Sequence, residues 1–218
     1  MINLKQLAFL LLAVLGALPA MAETVAAKYK WDQDAIPFYY NPEGQPEWLT
    51  TEEVLDMLRQ AAGEWEVCGP RVPIAGITFA KAAKKDAKNV IGWVDNAAMR
   101  NLYDKSFNGF TQVTASAKFQ QNKTQAPAGY GFSWMDQDAV IREYDILFNS
   151  SIFGKDTANA RKELYHDMLH ELGHAVAFNG VHTTDRTMIM STDQRSQSEL
   201  PIKIHPLEIE ACQKLYGN

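Results

Sequence analysis

Apolar residues recur at two different spacings along this chain, and the two spacings predict a fold that mixes helices and strands. After Thr50 they return every three or four positions, which is the period of one helix face. Thr50 and Glu53 form a capping box in front of this segment, and Gly69 followed by Pro70 ends it. We therefore predict an amphipathic first helix. Its core-facing residues are Val54, Leu55, Leu58, Ala61, Ala62 and Trp65.

Shorter apolar stretches have the length and composition of strands. The predicted strands are Ala35–Tyr40, Gly76–Ala80, Val90–Val94, Thr111–Phe119 and Val140–Phe148. Thr111–Phe119 alternates most weakly, so we place it at the edge of the sheet. The lysine-rich stretch from Lys81 to Lys88 is interpreted as a solvated turn between two strands.

A second helical stripe, formed by Leu164, Met168, Leu172 and Ala175, lies in the last third of the chain. Asp156 or Thr157 can cap this helix at its beginning. Gly173 interrupts it, and glycine inside a helix costs about 1 kcal/mol relative to alanine. We therefore expect another part of the protein to pack closely against Gly173.

The beginning of the chain has the pattern of a secretory signal peptide. Lys5 precedes an apolar run from Leu7 to Leu18, and Ala20-Met21-Ala22 is a small-x-small cleavage signal. The run is shorter than the roughly 20 residues that span a bilayer, so we do not expect a membrane anchor. We predict a leader over 1–22, one domain over 23–218, and export to the periplasm or the extracellular medium.

Composition places the chain among ordinary globular proteins. Apolar residues make up 46% of it, charged residues make up 22%, and the net charge is −5. A mildly acidic chain without long basic runs is not expected to bind nucleic acid or an anionic membrane surface. We expect a monomer.

The stretch HELGHAVAFNGVH, residues 170–182, carries the candidate chemistry. His170 and His174 stand four residues apart, so on a helix their imidazoles project from one face and can bind one metal ion. Glu171 lies beside them and can reach a water molecule at that metal without being a ligand. Gly180 allows a left-handed turn at the helix end, after which His182 can supply a third nitrogen.

Other residues compete for the third ligand position. Asp185 is an alternative because carboxylate oxygens also bind zinc, and His205 is a more distant candidate. His166 shares the helix face of His170, but the ligand set is complete without it. Imidazole suits zinc, which favours His182.

The motif HELGH, the following glycine, His182 and the pair Ile189-Met190 resemble the metzincin superfamily of zinc endopeptidases, in particular small bacterial matrixin-like members. Segments 31–40, 143–150 and 207–217 resemble matrixin landmarks as well. The resemblance implies an α+β single domain with a twisted mixed sheet of about five strands, a long zinc-binding helix, and N-terminal and C-terminal helices. It also implies that Met190 is the Met-turn residue beneath the zinc.

One spacing departs from the family pattern. His182 follows His174 by eight positions instead of the usual six, and Ala177 stands at the usual glycine position. We therefore expect the zinc helix to run longer before it turns.

The resemblance implies a zinc-dependent endopeptidase that cleaves protein or peptide substrates, with Glu171 as general base. An extended substrate would pair with the edge strand, and residues just after Met190 would form the main specificity pocket. A catalytically silent zinc-binding module is one alternative, although it has no need of Glu171. The other is a gluzincin-type peptidase whose third ligand is Glu199, Glu208 or Glu210.

Two cysteines, Cys68 and Cys212, form an even set in a chain expected to be exported, which favours a disulfide between them. A zinc-capping propeptide cysteine is the alternative for Cys68. It is disfavoured because the few residues between Ala22 and Trp31 leave no room for a prodomain. A structural calcium ion is possible but unsupported, since Asp136, Asp138 and Asp145 do not form a ligand-spaced loop.

Overall fold

The computed structural model describes residues 25–107, 113–115, 126–155, 159–192 and 199–217. The predicted leader over 1–22 and the predicted caps Asp156 and Thr157 lie outside these ranges. The strands within them are β1 (Phe38–Tyr40), β2 (Ile74–Ile77), β3 (Asn89–Val94), β4 (Val113–Ala115), β5 (Gly129–Met135) and β6 (Ile141–Asn149). The helices are α1 (Thr51–Trp65), α2 (Asn96–Phe107), α3 (Ala160–Gly173) and α4 (Pro206–Tyr216).

The described strands form one mixed sheet in the order β2-β1-β3-β6-β5-β4. The pairs from β2 to β6 are parallel, and β5 pairs antiparallel with both β6 and β4. The predicted α+β fold with a mixed sheet is confirmed, with six strands where the resemblance implied about five. The strand predicted within Thr111–Phe119 is present as β4, and it lies at the edge of the sheet as expected.

Two elements were not predicted, and each has a physical reason. Glycine has a low strand propensity, so Gly129 and Gly131 kept β5 from being predicted. The strand forms because it pairs along its length with β6. The polar segment of α2 has only a weak apolar stripe, and over 96–102, where burial is described, Met99 is the fully buried residue. Strand β2 begins at Ile74, two residues before the predicted Gly76, since Ile74 pairs with Phe38 of β1.

The main apolar core lies where α1 and α3 pack against each other and against the sheet. All six predicted core positions of α1 are buried, and the Thr50–Glu53 capping box is present. A smaller apolar cluster between α2 and the sheet contains Met99, Ala126, Tyr130 and Leu147. These two clusters hold the sheet between helices, and α3 carries the candidate site on the side of the larger one.

The loop from Lys81 to Lys88 is held by two buried carboxylates of β6. Glu143 accepts the main-chain N–H groups of Asp86 and Ala87, at 3.0 and 2.6 Å. Asp145 accepts those of Lys84 and Val90, at 3.3 and 2.7 Å. Asp145, considered above as a calcium ligand, therefore serves to anchor this loop to the sheet.

Cys68 and Cys212 form the predicted disulfide, with their Cα atoms 5.2 Å apart. Cys68 ends a short 3₁₀ turn, Glu66–Cys68, that continues from α1, and Cys212 lies in α4. Both residues are fully buried. The bond excludes the alternative in which Cys68 caps a zinc ion, and it ties the C-terminal helix to the N-terminal one.

Loss of this disulfide should destabilise the domain substantially, because the bond closes a loop across 144 positions of sequence. The chain-entropy estimate for a loop of this size is about 5 kcal/mol. We expect the Cys68→Ser, Cys212→Ser double variant to unfold at clearly lower guanidinium concentration. Equal midpoints for the oxidised protein and this variant would contradict the expectation.

Candidate metal centre

The end of α3 brings the histidines of the motif together. His170 lies in the last turn of α3. His174 begins a wider π-helical segment, His174–Phe178, which continues directly from α3. Gly180 then has φ of 71°, the predicted left-handed turn, and His182 follows. The zinc helix is therefore extended, as the unusual spacing led us to expect.

The three histidines of the motif converge on one point. The Nε2 atom of His174 lies 3.1 Å from the Nε2 atom of His170 and 3.1 Å from that of His182. One nitrogen from each ring lies within 4.8 Å of the others, and within the described ranges no other set of three or more ionisable side chains forms a potential metal site. This is a donor set that suits zinc.

Main-chain carbonyls fix the tautomers of two of these rings. The Nδ1 atom of His170 lies 2.8 Å from the carbonyl oxygen of Ile189, and that of His174 lies 2.8 Å from the carbonyl oxygen of Phe178. A carbonyl only accepts, so each Nδ1 carries the hydrogen and each neutral ring leaves its Nε2 bare. Two bare nitrogens at 3.1 Å cannot bond to each other, whereas a cation between them would satisfy both.

Burial also keeps these rings in the form that binds metal. It lowers the pKa of His170, and together with the neighbouring rings it lowers the pKa of His174 well below the usual value. Burial and His170 lower the pKa of His182 to about 3. Near neutral pH all three imidazoles are therefore uncharged, with lone pairs available to a metal ion.

The other candidate ligands have different roles. The Oδ1 atom of Asp185 accepts hydrogen bonds from the N–H and the hydroxyl of Thr187, at 2.9 and 2.7 Å. The Nδ1 atom of His205 caps α4 by accepting the N–H of Leu207 at 3.2 Å. The Nδ1 atom of His166 contacts the carbonyl oxygen of Pro201 at 2.7 Å. The structure thus brings His182, and none of these three, into the cluster.

Glu171 lies beside the cluster in a site that is almost closed to solvent. Its side chain is buried, and its Oε2 atom has no hydrogen-bond partner among the described residues. Burial raises its pKa well above the usual value, and the charge of Asp167 raises it further. A buried carboxylate oxygen without a partner costs free energy, so a reactive role is a natural explanation for it.

Gly129 of β5 is a site residue that sequence analysis missed. A Cβ atom at this position would lie 2.6 Å from both Cγ and Oε1 of Glu171. Any other residue would therefore displace the carboxylate. The available signal was an isolated glycine in a strand, which often marks a close approach of another group, but β5 itself had not been predicted.

Met190 packs against α3 at Gly173. A Cβ atom at Gly173 would lie 2.6 Å from the Met190 sulfur and 2.6 Å from Cζ2 of Trp65. The indole N–H of Trp65 also donates to the Leu169 carbonyl at 2.8 Å. The expectation of close packing at Gly173 is therefore confirmed, and its cause is the contact of α3 with these two large side chains.

Glu208 of α4 holds the Met190 segment in place, and sequence analysis did not foresee this role. Its fully buried carboxylate accepts the N–H groups of Ile189 at 3.1 Å, Met190 at 2.7 Å and His205 at 2.8 Å. Ile189 in turn orients His170 through its carbonyl. Glu208, considered above as a third metal ligand, is thus outside the histidine cluster and supports His170 indirectly, through the Ile189 peptide.

A comparison with protein families identifies a family whose sequence profile includes this site, although a search of curated proteins found no match. Residues 30–217 match the sequence profile of the family described as Matrixin, so the match includes the sheet, both long helices of the core, the histidine cluster and α4. On this evidence the chain belongs to the matrixin family of zinc metalloendopeptidases.

Proposed function

We propose that this protein is an exported zinc endopeptidase whose metal is held by His170, His174 and His182. The observation that carries the proposal is the convergence of their Nε2 atoms while two of the Nδ1 atoms are committed to carbonyls. Zinc bound by three histidines would supply a Lewis acid that polarises a peptide carbonyl and lowers the pKa of a water molecule toward about 7.

Glu171 is the general base in this proposal. Its unpartnered Oε2 atom would accept the proton of the attacking water and then deliver that proton to the leaving amine. Gly129 leaves the room in which the carboxylate sits, and the surrounding burial excludes bulk water from the proton transfer. A catalytically silent zinc module would have no use for a buried, unpartnered carboxylate beside its metal, so the site favours the enzyme.

The substrate is an extended protein or peptide segment that pairs with the edge strand β4. Strand β5 supports this alignment, because it contacts Glu171 through Gly129 and pairs with β4 from the next residue, Tyr130, onward. Main-chain hydrogen bonds along an edge strand position a peptide without reading its sequence. Specificity is assigned to the residues after Met190, of which 193–198 lie outside the described ranges.

The proposed location is the periplasm or the extracellular medium. The leader pattern over 1–22 supports export, and the disulfide between Cys68 and Cys212 is typical of an oxidising compartment. Within the described part of the chain, every helix is too short or too polar to cross a bilayer.

Removal of a ligand should remove the metal. We expect the mature protein to bind about one zinc ion per chain and His174→Ala to lose most of it, since two histidines remain. His166→Ala is the matched control, because His166 is a buried histidine of the same helix outside the cluster. Metal analysis after extensive dialysis measures both. Full zinc retention by His174→Ala would overturn the site.

Removal of the base should separate catalysis from metal binding. Glu171→Gln keeps the size of the side chain but cannot accept a proton. We expect it to retain zinc and to cleave an unstructured protein substrate at least about 100-fold more slowly. A variant that cleaves as fast as the parent would exclude Glu171 as the base.

Gly129→Ala should displace the carboxylate without touching the metal. The added Cβ would approach Glu171 to 2.6 Å, so the side chain must move away from its present position. We expect zinc content to be unchanged and kcat to fall by roughly tenfold or more, because small misplacements of a reacting group are costly. Gly63→Ala is the control, since a Cβ there meets open space. Unchanged kcat in Gly129→Ala would contradict this account.

A further inference from the structure

The widened end of the zinc helix leaves carbonyl groups that its own backbone does not satisfy. In a regular helix each carbonyl accepts the N–H four residues later, but the last turn has no such donors. This end consists of four fully buried residues, Ala175, Val176, Ala177 and Phe178. Because water does not reach them, their carbonyls need partners from the protein.

Those partners come from the two ends of the domain. The indole N–H of Trp31 donates to the Ala175 carbonyl at 2.8 Å, and the main-chain N–H of Lys28 donates to that of Ala177 at 3.0 Å. The hydroxyl of Tyr216 donates to the Val176 carbonyl at 2.6 Å. That hydroxyl also accepts the N–H of Trp31 at 3.4 Å, which joins the two donors to each other.

The fourth carbonyl belongs to the metal site itself. The Phe178 carbonyl accepts Nδ1–H of His174 and the N–H of Val181, each at 2.8 Å. The chain leaves the helix directly after Phe178 and reaches His182 through Gly180. The path of residues 175–178 therefore sets both the orientation of His174 and the point from which His182 turns back.

We propose that Trp31 and Tyr216 are positioning residues for His182, the third zinc ligand. This inference rests on the proposed metal site. Neither residue belongs to the histidine cluster. They bind consecutive carbonyls of the π-helical segment, and so they fix the backbone path that brings His182 back to His170 and His174. The bonds also stabilise the fold, so the test must separate zinc affinity from folding.

Trp31→Phe and Tyr216→Phe each remove one donor and keep the ring. A lost hydrogen bond of this kind should lower zinc affinity by about tenfold, measured by competition with a chelator on protein shown to be folded by circular dichroism. Trp48→Phe is the matched control, because it removes an indole N–H bond to the Phe153 carbonyl, outside the metal site. The control should lose stability to denaturant and keep its zinc affinity.

The decisive comparison repeats both substitutions in a His182→Ala background. If Trp31 and Tyr216 act mainly through His182, they should change the weakened zinc affinity far less once His182 is gone. Visible absorption of the cobalt-loaded proteins checks the same point, since it reports the ligand geometry without any catalysis. Equal effects with and without His182, or effects no larger than those of Trp48→Phe, would overturn the positioning role. A parent protein without any zinc affinity would overturn the metal site as well.

Discussion

The structure of the site depends on two hydrogen bonds between histidine rings and main-chain carbonyls. His170 Nδ1 donates to the Ile189 carbonyl and His174 Nδ1 donates to the Phe178 carbonyl. Each bond selects the tautomer with a bare Nε2 atom and turns that atom toward the same point. Because both rings are buried, they stay neutral, and their tautomers are set by the protein without a metal ion.

The Ile189 peptide and the histidine-bearing helix are each held by other parts of the fold. The Ile189 peptide is fixed by Glu208 of α4, and α4 is tied through Cys212 to Cys68 in the turn that follows α1. Trp65 of α1 packs on Gly173 and binds the Leu169 carbonyl, so α1 also supports α3 directly. The histidine cluster is thus supported by both α1 and α4.

The sequence predicted the parts of the protein that follow local rules. Helix α1 could be predicted because its apolar stripe and its capping box agree. The histidine pair could be predicted because residues four apart share a helix face. Strand β5 could not be predicted, since its glycines are explained only by contacts such as that between Gly129 and Glu171. The role of Glu208 could not be predicted either, because two of its three partners are main-chain groups 18 and 19 positions away. His182 stood at an unusual spacing, and the π-helical segment that places it has no distinct sequence signal.

We propose that His170, His174 and His182 together bind one zinc ion. Anomalous diffraction at the zinc edge, from crystals of the purified protein, tests this directly. We expect a single strong peak about 2.0–2.1 Å from all three Nε2 atoms, the usual zinc–imidazole distance. A peak bound by Asp185 or His205 in place of His182, or no peak between the histidines in protein shown to contain zinc, would contradict it.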